Sequence, residues 1–181
     1  MLKGANVSRI KWVLLVASLL PTVAIGQDQP KKLEPCRLLT DDDAAKIMGA
    51  PMKIVDLSKK KCTHGEYRGR GSLVSGGVLD RILFFEVTRY KDSQAQEKAW
   101  AKDTKSALDP ANKGQVLTGI GDEAYLVGRT GDGKLTDTAL LSVRKGTVSF
   151  SIAILLPPGH EPVTLSEDAL IMVAKKIADQ L

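Results

Sequence analysis

From Val148 to Leu156 every second residue is apolar: Val148, Phe150, Ile152, Ile154 and Leu156, with Thr147, Ser149 and Ser151 opposing them. A period of two sustained this long is a strand with one buried face and one face that is at least partly polar. Strands buried on both faces read as unbroken apolar runs, so this one suits an antiparallel sheet better than a parallel one. Lys145-Gly146 supplies a tight reversal before it. Thr138 to Arg144 and Ala124 to Arg129 read as the two preceding strands, with Thr-Gly-Asp-Gly-Lys as the turn between them.

The first half of the chain repeats this grammar less strictly. Met52 to Leu57 and Cys62 to Arg68 read as strands joined across Ser-Lys-Lys-Lys, followed by a Gly-rich connection. Arg81 to Tyr90 is a strong strand with Leu83, Phe85 and Val87 on one face. Thr40 is placed to cap a short helix carrying Asp41, Asp42 and Asp43 in its first turn, where the helix dipole favours negative charge. Gly49 suits its left-handed end and Pro51 stops it. Three consecutive aspartates splay by about 100° each around a helix, so capping explains them better than a metal site. Ser93 with Gln96, and Thr164 with Glu167, have the spacing of capping boxes. The first would open a helix through about Leu108 with a thin apolar face (Ala95, Ala99, Trp100, Ala107), suited to lying on a sheet. The second opens a helix with Leu170, Val173, Ala174, Ile177 and Leu181 on one side. The expected fold is α+β, an antiparallel sheet of five to seven strands with helices on one face, and a hint of a repeated unit of three strands plus a helix.

The beginning of the chain reads as an address. Lys3, Arg9 and Lys11 precede the short apolar run Trp12 to Leu20, and Ala24 and Gly26 stand at the −3 and −1 positions of a cleavage site. This is the layout of a secretory signal peptide. Even Trp12 to Ile25 is shorter than the roughly 18 apolar residues of a membrane span, although an uncleaved anchor is the alternative. The expected organisation is a signal over 1–26, a polar leader over 27–35 and one domain over 36–181, exported to the periplasm or secreted, with no transmembrane segment once processed. Cleavage removes three basic residues and no acidic ones, which takes the net charge from +5 to +2. The basic balance is then poor support for a nucleic-acid partner, and none is expected.

Cys36 and Cys62 are the two cysteines. An even count in an oxidising compartment favours one disulfide over a redox or metal pair. Closing a loop of about 27 residues is worth roughly 3.5 kcal/mol in the chain-entropy model. The rival readings rest only on the adjacency Cys62-Thr63-His64, without a C-x-x-C.

Gly119, Gly121 and Ala124 in GIGDEAYLVGR match the G-x-G-x-x-A spacing of a dinucleotide loop. That loop needs a strand before it and a helix after it, so that the helix N-terminus meets the pyrophosphate. Here a strand pattern follows, and Asp122 and Glu123 would repel a pyrophosphate. A tight turn is the better reading, with both glycines at positive φ and Asp122 bonding its own backbone. No cofactor is expected.

A Cys before LLTDDDAAKIMG, a second Cys after the next strand, GIGDEAYL, and LLSVRKGTVSFSIAI before a terminal helix together resemble a bacterial family of exported cell-envelope proteins and lipoproteins of unknown function. More loosely, the order of elements is similar to extracellular sensor domains of bacterial receptor kinases. The resemblance spans most of Cys36 to Leu181 and implies a two-layer α/β envelope domain. It brings no catalytic residues, and the lipidated Cys of many members is absent.

His64 and His160 are too few and too far apart to argue for zinc, and both read as surface residues. Gly-Arg-Thr-Gly-Asp-Gly-Lys lacks the ligand set of a calcium loop. Neither G-x-S-x-G nor H-E-x-x-H occurs, and Ser75 has no nominated base. No catalytic or metal residue is therefore nominated. Lys59, Lys60, Lys61, Arg68 and Arg70 cluster within twelve residues against Glu66 alone. Such a run is ordinarily a solvated surface, and otherwise the contact for an anionic envelope component or another envelope protein. Two function classes follow. The first is a non-catalytic binding, sensing or interaction module. The alternative is a small secreted enzyme whose site forms only on folding, from His64 or His160 with an aspartate. A cleft placing a histidine near both a carboxylate and a nucleophile would favour the second.

Overall fold

The computed structural model describes residues 33–67, 79–130, 134–160 and 163–181, all within one compact unit, Lys32–Leu181. The expected signal and most of the leader lie outside the described residues. So do the Gly-rich connection with Arg68, Arg70 and Ser75, and the centre of the Thr-Gly-Asp-Gly-Lys turn.

The elements run α1 (Pro35–Leu38), α2 (Asp41–Met48), β1 (Lys53–Leu57), β2 (Lys61–Tyr67), β3 (Leu79–Arg89), α3 (Ser93–Ala107), β4 (Gln115–Leu117), β5 (Glu123–Arg129), β6 (Leu135–Lys145), β7 (Val148–Leu155) and α4 (Glu167–Ala178). The seven strands form one antiparallel sheet ordered β1-β2-β3-β7-β6-β5-β4. Two meanders meet at its centre: β1-β2-β3 runs inward from one edge, α3 carries the chain to the far edge, and β4-β5-β6-β7 returns to lie beside β3. The first half does follow three strands with a helix. The second has four strands, because the short edge strand β4 precedes β5.

Register builds the core. Leu57, Cys62, Phe85, Ile152, Leu141, Leu126 and Gln115 pair in succession across all seven strands. Directly paired residues share a face, so the central members of this row line the inner side of the sheet, and Leu57 on the edge strand is exposed. Phe85, Ile152, Leu141 and Leu126 have no exposed surface. Ile47 and Met48 of α2 and Leu170, Val173 and Ile177 of α4 close over that side in one apolar cluster.

Local signals set the two covering helices. Thr40 accepts from the Asp43 amide, Asp43 accepts from the Thr40 amide, and Gly49 ends α2 at φ 65°. A Cβ on Gly49 would stand 2.9 Å from the Thr164 carbonyl oxygen, so glycine serves both the backbone geometry and the approach of the chain entering α4. The Ser166 amide then donates to the Ile47 carbonyl at 3.0 Å, joining the start of α4 to α2.

Three expectations need correction. Helix α3 does not share the face of α2 and α4. Ala124 and Leu126 of β5 belong to the main core, whereas Tyr125 and Val127 point the other way and pack with Trp100, Ala107 and Leu108. Alternation along β5 therefore puts α3 on the outer face. The cap of α3 is Asp92, whose side chain accepts from the Ala95 amide. Gln96 is buried and donates instead to the Val148 carbonyl at 2.8 Å, which pins α3 to the sheet. The cap of α4 is Ser166, accepting from the Ala169 amide, and not Thr164.

Candidate functional site: a polar groove beside helix α3

Because α3 stands over β5, the outer face at the centre of the sheet is left partly uncovered. The row next to the core row runs Lys61, Glu86, Ser151, Ser142, Tyr125 and Val116 across six strands. Short hydroxyl side chains in the middle of this row, beside a helix, leave a trough. It is a groove of about 250 Å³. Glu86, Thr88, Ser149 and Ser151 form its floor, Tyr90 one end, and Ser142, Tyr125, Trp100 and Asp103 the wall under α3.

The wall is firm. Trp100 and Tyr125 pack with ring centroids 5.2 Å apart, and both are almost fully buried. Such tilted aromatic pairs add about 0.5–1.5 kcal/mol beyond the apolar area they bury. Burial raises the Tyr125 pKa, the Ser142 hydrogen bond opposes that shift, and Asp103 and Tyr90 add to it. Tyr125 is therefore a neutral phenol with a proton to donate. At the other end Ser149 Oγ lies 3.5 Å from Tyr90 Oη. The described lining holds two carboxylates, Glu86 and Asp103, and no Lys, Arg or His. Lys61, paired with Glu86 in register, lies with Nζ 4.3 Å from the Phe84 ring centroid. Chemically the groove offers many acceptors, several hydroxyls able to act either way, and an aromatic wall.

The sequence reading did not find this groove. Its signal was present in Ser149 and Ser151 opposite the core side of β7, with Ser142 and Thr88 at outward positions of neighbouring strands. Knowing that β3 lies beside β7 was needed to bring them together.

The structure joins Cys36 to Cys62 in a disulfide, with Cα atoms 5.2 Å apart. His64 is not a surface residue, since it has no exposed surface at all. Its Nδ1 lies 3.1 Å from Asp41 Oδ1 and its Nε2 lies 3.4 Å from Cys62 Sγ. A histidine thus does stand between a carboxylate and a sulfur, but there is no cleft at the ring and the sulfur is already bonded to its partner. His160 is mostly buried, with Nε2 3.5 Å from Asp137 Oδ1.

The turn at Gly119 to Glu123 is as expected in kind, and β5 rather than a helix follows it. Gly119 and Gly121 have φ 74° and 60°. Asp122 does not bond its own backbone. Its carboxylate accepts from the Gly146 amide at 2.7 Å, tying this turn to the β6–β7 reversal. Of the basic cluster, Lys59 and Lys60 are exposed at the β1–β2 turn, and Lys61 is turned onto the outer face. Among the described residues no helix is long and apolar enough to cross a membrane. No protein-family model, curated protein or solved structure matches the chain.

Proposed function

We propose that this chain is a non-catalytic binding or sensing module of the bacterial cell envelope, exported by its N-terminal segment, and that its ligand sits in the groove beside α3. The observation that carries the reading is the chemistry of that groove: hydroxyls and two carboxylates against a buried Trp100–Tyr125 wall, with no nucleophile paired to a base. In a concave site, convergent polar groups fix the orientation of a bound small molecule. Among the described residues two carboxylates and no cation line the groove, so the ligand is a small molecule rich in N–H and O–H donors, such as an amine-bearing sugar. The disulfide, the signal-like N-terminus and the resemblance to exported envelope proteins support the location.

Trp100 reports on the site directly. The sequence has only two tryptophans, so W12F leaves Trp100 as the single emitter. Titration of that variant with neutral sugars, amino sugars and polyamines should give saturable quenching by donor-rich amines. S151L, which fills the trough, should abolish the change without lowering Tm. Absence of saturation by every ligand class would end the reading. Intact mass of protein from the envelope fraction, short by residues 1–26, would support export, and a full-length mass would oppose it.

A further inference from the structure

Cys62 and His64 are two residues apart on β2, so both point to the inner side of the sheet. A carboxylate only accepts hydrogen bonds, so the Nδ1 of His64, 3.1 Å from Asp41 Oδ1, carries the ring proton. Nε2 then presents its lone pair to Cys62 Sγ, 3.4 Å away. The two sulfurs are not equivalent. Cys62 is fully buried, whereas Cys36 is partly exposed. Cys36 also borders a surface depression of about 590 Å³. Leu33, Pro35 and Leu57 give that depression an apolar lining, Arg37 is paired there with Glu34 at 2.6 Å, and Lys59 adds positive charge at its margin.

We propose that Cys36–Cys62 is a thiol–disulfide exchange site for a dithiol partner, in which Cys36 is the sulfur attacked, Cys62 is the sulfur displaced, and His64, held by Asp41, takes up a proton beside the displaced thiolate. This is independent of the groove. In the first step the partner's thiolate attacks Cys36 Sγ from the depression. A new S–S bond forms between the partner and Cys36, the Cys36–Cys62 bond breaks, and its electron pair leaves on Cys62 Sγ. A proton from solvent is taken up at His64 Nε2, the ring nitrogen that carries none, so that the ring becomes an imidazolium beside that thiolate. In the second step the partner's other thiolate attacks its own sulfur in the mixed disulfide, and Cys36 departs as thiolate. The partner is oxidised to a disulfide by two electrons, and the protein gains the same two electrons and two protons. A displaced thiol of lower pKa leaves faster, and an imidazole able to become an imidazolium supplies that stabilisation.

His64 has the groups around it that the role needs. Burial holds its pKa below the ordinary value, against the hydrogen bond and charge of Asp41, the Leu39 carbonyl and the charge of Asp43, so the ring at rest is neutral. Lys53 of β1 lies 3.4 Å from Asp41, and Lys176 of α4 lies 2.6 Å from Asp43. From β3 the register partner of His64 is the apolar Leu83. His64 and Asp41 are positioning residues, and Cys36 and Cys62 are the reacting ones.

The test uses the full oxidised chain with dithiothreitol as the dithiol and glutathione as a trapping monothiol, without denaturant, over about pH 5–9. The expected result is reduction faster than global unfolding, with the trapped glutathione on the Cys36 peptide. H64Q should slow reduction by about tenfold or more and flatten its pH profile. D41N, which keeps side-chain size, should shift the same profile and stands in if H64Q folds poorly. Reduction only at the unfolding rate, glutathione trapped on Cys62, or variants reduced as fast as wild type or faster would overturn the proposal. Faster reduction is what a purely structural His64 predicts, because loosening the fold exposes the bond.

Discussion

Lys176 Nζ lies 2.6 Å from Asp43 Oδ2, joining α4 to α2 across 133 residues of sequence. The same carboxylate oxygen accepts from the Thr40 amide at 3.1 Å and from the Thr40 hydroxyl at 2.7 Å. One buried aspartate therefore closes the capping box of α2 and anchors the last helix. D43N keeps the shape but loses the charge-assisted bonds, and should cost about 2 kcal/mol in chemical denaturation. T40A, which removes only the cap, should cost about 1 kcal/mol.

Acid should act on Asp43 in a defined direction. Burial raises its pKa, but the Lys176 and Thr40 hydrogen bonds outweigh that and leave it below 3.8. The unfolded carboxyl then binds more protons than the folded one as pH falls below that ordinary value. This contribution is present above it and is lost as pH drops through the folded value. Stability of D43N should fall less steeply than wild type in that acid range, measured as the urea midpoint at each pH.

His64 should act at higher pH. Its folded pKa lies below the ordinary 6.5 because burial disfavours the imidazolium. Between the two values the unfolded chain holds the extra proton, so stability is full above 6.5 and declines as pH falls through the folded value. H64Q should remove this decline while leaving the Asp43 one. An unchanged urea-midpoint profile in H64Q would contradict the assignment.

The two glycines of the turn should respond unequally. Both have positive φ, so alanine is strained at either. At Gly121 a Cβ would also meet the Arg144 carbonyl oxygen at 2.4 Å, whereas at Gly119 it would meet nothing within 4 Å. G119A should cost about 1 kcal/mol and G121A distinctly more. Neither should alter binding of NAD, for which no saturable signal is expected with wild type.

Lys59 and Lys60 carry the expectation of an anionic contact at the β1–β2 turn, and the Lys61 ammonium lies 4.3 Å from the Phe84 ring centroid. K59E with K60E should abolish any salt-sensitive binding to anionic vesicles or envelope polymers while leaving Tm nearly unchanged. Equal binding by both proteins at low and high salt would assign the pair to solubility alone.

The sheet was legible because its signals are local. Alternation in β7, the glycine ending α2 and the paired cysteines each act through their near neighbours. What escaped depends on tertiary placement. Helix α3 offers only Trp100 and Ala107 as buried apolar anchors, and nothing in their spacing says which side of a sheet they meet. Strand β4 is three residues long and is held by pairing with β5 rather than by its own pattern. Burial of His64 could have been read from the strand pattern, since residues two apart on a strand share a face and the apolar members of β2 and β3 point inward there. The groove needed the neighbour relation of β3 and β7, which no single segment announces.

That neighbour relation also fixes an order in time. Strand β3 is complete at residue 89, but its inner neighbour β7 does not exist until residue 155 has been made, and the helix that seals the core ends at residue 178. On the ribosome the first meander therefore waits with one edge open while most of the remaining chain is added. Closure of so distant a pair carries the loop entropy of the whole interval, which slows collapse. A sheet wired this way cannot be completed at its centre until β7 has been made, long after β1, β2 and β3 are all available.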